Sequence, residues 1–186
     1  MATTSIAQIS EETFRRLALD DRYAHLELYD GEPHEKPSVS VEHGDIMFLL
    51  SGLLASQLDP VQYVGRVGHG RLRVSSSAYY EPDVMVVPTS LRPPRGTLDA
   101  YSDPVLLVIE VWSPSTGGYD IDVKIPGYFQ RGDLEIWRIH PYERTLTTWR
   151  RNADGSYRES LYRGGMVEAE SIPGFAVDFD ALLGPN

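Results

Sequence analysis

Hydrophobic and polar residues alternate with period two over several short stretches of the chain, and one longer stretch carries a three-to-four spacing. HLELYDGEP (25–33) alternates and runs into Asp30-Gly31, which predicts a strand, a turn and the first arm of a hairpin. Between about 44 and 58, Ile46, Leu49, Leu50, Leu53 and Leu54 follow the spacing of a core-facing helical stripe. A shorter helix is predicted after Ser10, whose hydroxyl suits an N-cap ahead of EETFRRLAL. VQYVGRV and RLRVSSSAYY flank Gly68-His69-Gly70 and predict a second hairpin. A strand over Asp83–Val87 stops at Pro88, and residues 90–104 form a long Pro- and Gly-rich loop. VLLVIEVW (105–112) is apolar enough for a central strand. A helix should start near Asp120, end near Ile125 and restart at Pro126, because proline lacks the amide donor. DLEIWRIHP (133–141) predicts another strand, and TLTTWRR and SYRESLYR, joined at 152–155, predict a last hairpin. Trp137 and Trp149 fall in these strands as packing residues. No internal repeat or linker divides the chain, so residues 1–186 form a single domain of mixed α/β class.

Two charges break the apolar runs. Side chains alternate faces along a strand, so Glu110 shares its face with Leu106, Val108 and Trp112. An unpaired carboxylate buried there would cost on the order of several kcal/mol. Glu110 must therefore be paired, bind a metal, or sit at the strand's open end, and the Ser113-Pro114-Ser115 loop favours the carboxyl edge where α/β sites open. Asp83 opens a strand after Pro82, and Asp120 and Lys124 share a face if their segment is helical. Singly, each has a plain structural explanation: a strand-end glutamate, a strand-opening aspartate, a surface ion pair. Together they are the inventory of a metal-dependent phosphodiesterase. A hard cation, Mg²⁺ or Mn²⁺, prefers oxygen ligands such as Asp83 and Glu110, and Lys124 would orient water or stabilise developing negative charge. The five histidines show no zinc-ligand spacing, and no serine has a nucleophile-elbow context.

Composition limits the partners. The net charge is −10, which opposes nucleic-acid binding by bulk electrostatics. The acid is uneven: the first 60 residues hold 11 Asp/Glu against 4 Lys/Arg, and Arg66, Arg71, Arg73 and the arginines of 144–163 lie beyond it. They read equally well as a local basic face or as solvated strand faces. There is no cysteine, which suits a reducing, cytoplasmic location. No apolar run is long enough for a membrane span, and MATTSIAQIS lacks a secretory pattern.

The segments LELYDGE (26–32), His43, EPDV (81–84) and VIEVWSPST (108–116), followed by Asp120, Lys124, Tyr128, GDLEIW (132–137) and Pro141, resemble the Uma-two family of restriction-endonuclease-like proteins in the PD-(D/E)XK nuclease superfamily. The resemblance runs from about residue 10 to the SIPGF tail. It implies a restriction-endonuclease-like mixed central sheet flanked by helices, and a Mg²⁺- or Mn²⁺-dependent endonuclease acting on DNA. It implies Asp83 and Glu110 as metal-binding acids and Lys124 as the superfamily lysine moved onto the following helix. The usual lysine place, two residues after the glutamate, holds Trp112. Asp120 and Glu27 match positions that are often acidic in the family, which implies a place lining the site, and His43 matches a recurrent histidine, here expected to serve helix-end hydrogen bonding. A homodimer fits, since cutting both strands favours two sites, with the 144–163 hairpin as candidate interface. Two other readings use the same residues: a nuclease fold that has lost activity and serves as a scaffold, and a two-carboxylate glycosidase that leaves Lys124 idle.

Overall fold

The computed structural model describes residues 8–115 and 117–184, with the backbone alone for 117 and 120; residues 1–7, most of the segment read for a secretory pattern, lie outside it. Ser10 Oγ accepts the Thr13 N–H at 3.2 Å and opens α1 (Glu11–Leu17). β1 (Leu26–Tyr29) and β2 (Glu32–Glu35) form the predicted hairpin, turning through Asp30 and Gly31 with φ of 48° and 83°. Ser40 caps α2 (Val41–Gln57), whose Ile46, Leu50 and Leu54 are buried while Leu49 of the expected stripe is exposed. β3 (Tyr63–Val67), β4 (Arg71–Ser75), β5 (Ala78–Tyr80) and β6 (Val84–Pro88) follow, then β7 (Ala100–Tyr101) and β8 (Leu107–Val111). A helical stretch comprises α3 (Gly117–Tyr119), a π-helical segment (Asp120–Lys124) and α4 (Ile125–Arg131). β9 (Glu135–His140), β10 (Thr145–Arg151), β11 (Tyr157–Tyr162), β12 (Met166–Glu168), β13 (Ala176–Asp178) and α5 (Phe179–Leu183) complete the order.

The strands form a mixed central sheet, β11-β10-β9-β8-β6-β3, in which β8 and β9 are parallel. A second sheet has the order β2-β1-β5-β4-β7, and β12 pairs with β13. One face of the central sheet, through Val84, Val86, Leu107, Ile109 and Val111, packs with α2, α5 and the C-terminal segment. The other, through Met85, Val87, Val108 and Ile136, packs on α4 and on Leu72 and Tyr80 of the second sheet. Phe14 of α1 covers the outer face of that second sheet against Leu26, Leu28 and Tyr79. Trp137 is fully buried and Trp149 partly so, as expected of packing residues.

Two expectations are corrected. β3 and β4 do not pair: β3 joins β6 at the edge of the central sheet and β4 joins β5 and β7. Gly68 and Gly70, with φ of 65° and 86°, carry the chain from one sheet to the other. The helical stretch runs on through Pro126: a π-helical segment leads directly into α4, with Pro126 in the first turn of α4, where proline is tolerated. Several of the arginines are held in internal pairs. Arg71 is buried and donates to the carbonyls of Ala24 and Leu26, Arg66 binds Asp99, and Arg150 binds Glu135. The 90–104 loop is partly ordered by β7, paired parallel to β4.

Glu11 ties α1 to the second sheet, accepting from Arg73 Nε at 2.7 Å and Tyr79 Oη at 2.5 Å. These bonds hold its carboxyl at about 2, below its ordinary 4.5. A depressed carboxyl stabilises the fold above its unfolded value and ceases to as pH falls through the folded one. Glu11→Gln is therefore expected to cost about 1 kcal/mol at neutral pH, the pair being partly solvent-screened. In urea unfolding, the gap from wild type should close as pH drops from 4.5 towards 2.

Candidate active site

The β6–β8 register pairs Val84 with Ile109, and one step further sets Asp83 opposite Glu110. Opposed residues of an antiparallel pair point to the same face a few ångströms apart. That face is the one turned to the second sheet and α4, so both carboxylates are enclosed, at 2% and 1% exposure. Asp83 Oδ2 accepts the Val111 N–H at 2.8 Å, which locks it to the strand carrying Glu110. Its Oδ1 meets Lys36 Nζ at 2.6 Å and His43 Nε2 at 3.3 Å. Burial pushes the Asp83 carboxyl up, but Lys36 and His43 outweigh it and hold the group well below the usual carboxylate range. Lys36 shows the mirror balance: burial lowers its ammonium, and Asp83 and Glu110 bring it above its ordinary value.

Glu110 Oε1 accepts from Tyr128 Oη at 2.5 Å and lies 3.5 Å from Lys124 Nζ. Lys124 ends the π-helical segment, and its ammonium is buried. It donates to the Glu81 carbonyl at 3.2 Å and lies 3.1 Å from Glu27 Oε1. It thus bridges two carboxylates and is no surface ion pair. Glu27 reaches inward from β1 because its neighbours Leu26 and Leu28 face α1. It accepts from the Glu81 N–H at 2.6 Å and from Tyr29 Oη. Burial, and then Glu27, push the Tyr29 phenol far above its ordinary range, so it stays a proton donor in that bond. Glu81 is fully buried beside His25 Nδ1 at 2.8 Å and Arg71 at 3.5 Å. A cleft of about 380 Å³, bounded by His25, Lys36, His43, Glu81 and Asp83, leads in from solvent.

The structure thus brings Asp83, Glu110, Lys124 and Glu27 together. The Asp120 side chain lies outside the described residues. His43 is more than a helix-end residue: Ser40 supplies the cap, at 3.3 Å to the His43 N–H, and the imidazole is free to reach Asp83. Trp112 stacks on His140 with ring centroids 4.3 Å apart. Sequence reasoning missed Lys36 and Glu81 as ionic partners. The only signal for Glu81 is its place between a Tyr-Tyr strand and Pro-Asp; Lys36 ends a polar edge strand and reads as a surface residue.

Gly127 sets the depth of this helix. A Cβ there would come within 2.6 Å of Tyr80 Cε2 and 3.4 Å of Val74 Cγ2. Tyr80 is itself buried against Tyr128, so its ring has little room to yield. Gly127→Ala is expected to cost about 1–3 kcal/mol through overpacking, read as a lower thermal midpoint. It should also impair any activity that depends on Lys124 and Tyr128, which flank the residue.

Oxygen-only donors on two facing carboxylates suit a hard divalent cation. Among the described residues no three of His, Cys, Asp and Glu are grouped to hold an ion. Two carboxylates are nonetheless what Mg²⁺ commonly uses, with water and substrate oxygens completing its shell. No described helix is long and apolar enough to cross a membrane.

The chain is similar to a crystal structure titled as a putative nuclease belonging to DUF820 from Anabaena variabilis, with a TM-score of 0.75. The match covers 94% of this chain and 97% of that one at 18% identity, and so bears on the fold alone. No functionally curated protein matches the chain. A family model, Uma2, described as "Putative restriction endonuclease", matches residues 11–180. With nearly its whole length under that model and the restriction-endonuclease-like mixed sheet it implies, the chain belongs to the Uma2 family.

Proposed function

We infer that this protein is a divalent-metal-dependent endonuclease that hydrolyses DNA phosphodiester bonds. The observation that carries the reading is the facing pair Asp83 and Glu110, buried across β6 and β8 with the Lys124 ammonium beside Glu110. In this reading Asp83 and Glu110 hold Mg²⁺ or Mn²⁺. The ion, when bound, supplies Lewis-acid activation of the phosphate and of a water. The Val111 N–H fixes the Asp83 carboxylate, and Tyr128 Oη fixes that of Glu110. Lys124, held between Glu27 and the Glu81 carbonyl, places a positive charge where negative charge develops on the phosphate. Burial strengthens that charge by excluding water. Cutting both strands of a duplex calls for two such sites, so the reading extends to a homodimer.

The scaffold reading draws on the −10 charge and on arginines bound up in internal pairs. Calorimetric titration with Mn²⁺ separates the two. The nuclease reading expects one site that vanishes in Asp83→Ala. Absence of any such site in well-folded wild type would favour the scaffold.

A further inference from the structure

The ammonium of Lys36 takes the Asp83 oxygen that a metal ion would need. It lies 2.6 Å from Asp83 Oδ1 and 3.1 Å from the Glu81 carbonyl. The other Asp83 oxygen already accepts the Val111 N–H. A divalent ion bound at Oδ1 would have to share that oxygen with the Lys36 ammonium, setting two cations on one acceptor. The two lysines of the site also differ in freedom. Lys124 is carried on a helix with its side chain 2% exposed, whereas Lys36 follows edge strand β2 and lines the cleft. Its four-carbon stem lets the ammonium swing towards solvent without moving the backbone.

Charge points the same way. Glu27, Glu81, Asp83 and Glu110 contact Lys36, Lys124 and Arg71. Four carboxylates against two lysines and one arginine leave one negative charge in excess. A divalent ion added with Lys36 in place leaves an excess positive charge, and one added with Lys36 withdrawn leaves none. A buried cluster favours the neutral arrangement.

We propose that Lys36 is a built-in competitor for the metal, a tethered ammonium that closes the Asp83 site in the free protein and moves into the cleft when a divalent cation binds. The proposal rests on the metal-site reading above, so its test separates the two. Wild-type protein and Lys36→Gln, which keeps a hydrogen-bond donor but no charge, are titrated with Mn²⁺ by calorimetry beside Asp83→Asn. In parallel, lysine acetylation of the wild type is followed residue by residue by mass spectrometry, with and without saturating Mn²⁺. The expected result is Mn²⁺ affinity about tenfold or more higher in Lys36→Gln, with Lys36 acetylated faster in the metal-bound wild type and Lys124 unchanged. The labelling arm uses native protein and stands even if the variant does not fold. Binding that is lost in Asp83→Asn, with unchanged Lys36 labelling and no gain in Lys36→Gln, overturns the competitor role and leaves the metal site standing. No binding in any folded form overturns both.

Discussion

Lys124→Met is expected to destabilise the fold by about 3–5 kcal/mol and to abolish cleavage. The cost follows from what the ammonium leaves behind. Its nitrogen lies 3.1 Å from Glu27 and 3.5 Å from Glu110, both almost wholly buried. Removing one partner of a buried ionic set leaves uncompensated charge, which costs more than the set contributed when intact. Urea unfolding at neutral pH measures the loss. Adding Glu27→Gln should restore part of it, because the double variant no longer strands that carboxylate. Cleavage should not recover with stability, since no charge then faces the phosphate.

Glu110→Gln is expected to act in the opposite sense. The amide keeps an acceptor for Tyr128 Oη and nearly the same volume, and it removes one negative charge from a cluster with an acidic surplus. Stability should therefore change little. Cleavage should fall by on the order of 10²–10³-fold or more, as a hard cation loses a charged ligand and its electrostatic help to the phosphate. A variant that folds as well as wild type but neither binds Mn²⁺ nor cuts would assign Glu110 to chemistry. Loss of both folding and cutting would mark it as structural.

Much of this site was legible in the sequence because burial made its charges conspicuous. Glu110 stands out in VLLVIEVW, and the alternation that put it with Val108 and away from Ile109 is the one observed. Asp83 was legible as an acid opening a strand, and the register then sets it opposite Glu110. Lys124 drew notice through its motif spacing, but not its burial: local pattern offers a helix face and cannot show that Glu27 from another sheet closes over it. Lys36 was illegible for the same reason. It follows Glu32-Pro33-His34-Glu35, polar on every side, and its partner lies 47 residues away. The β3–β4 error has a related cause. Two strands around a glycine turn read as a hairpin, yet β3 pairs with β6 and β4 with β5 and β7, and those non-local pairings decide. The π-helical segment before Pro126 was invisible because a proline in a helical pattern signals only a break.

The most direct test of the account is cleavage of plasmid, linear duplex, single-stranded DNA and RNA with Mg²⁺, Mn²⁺ or EDTA, with Asp83→Ala run beside the wild type. The account predicts DNA cleavage that needs the metal and disappears both with EDTA and in the variant. Cleavage that persists in folded Asp83→Ala, or a well-folded wild type that binds Mn²⁺ and cuts none of the four, would contradict it.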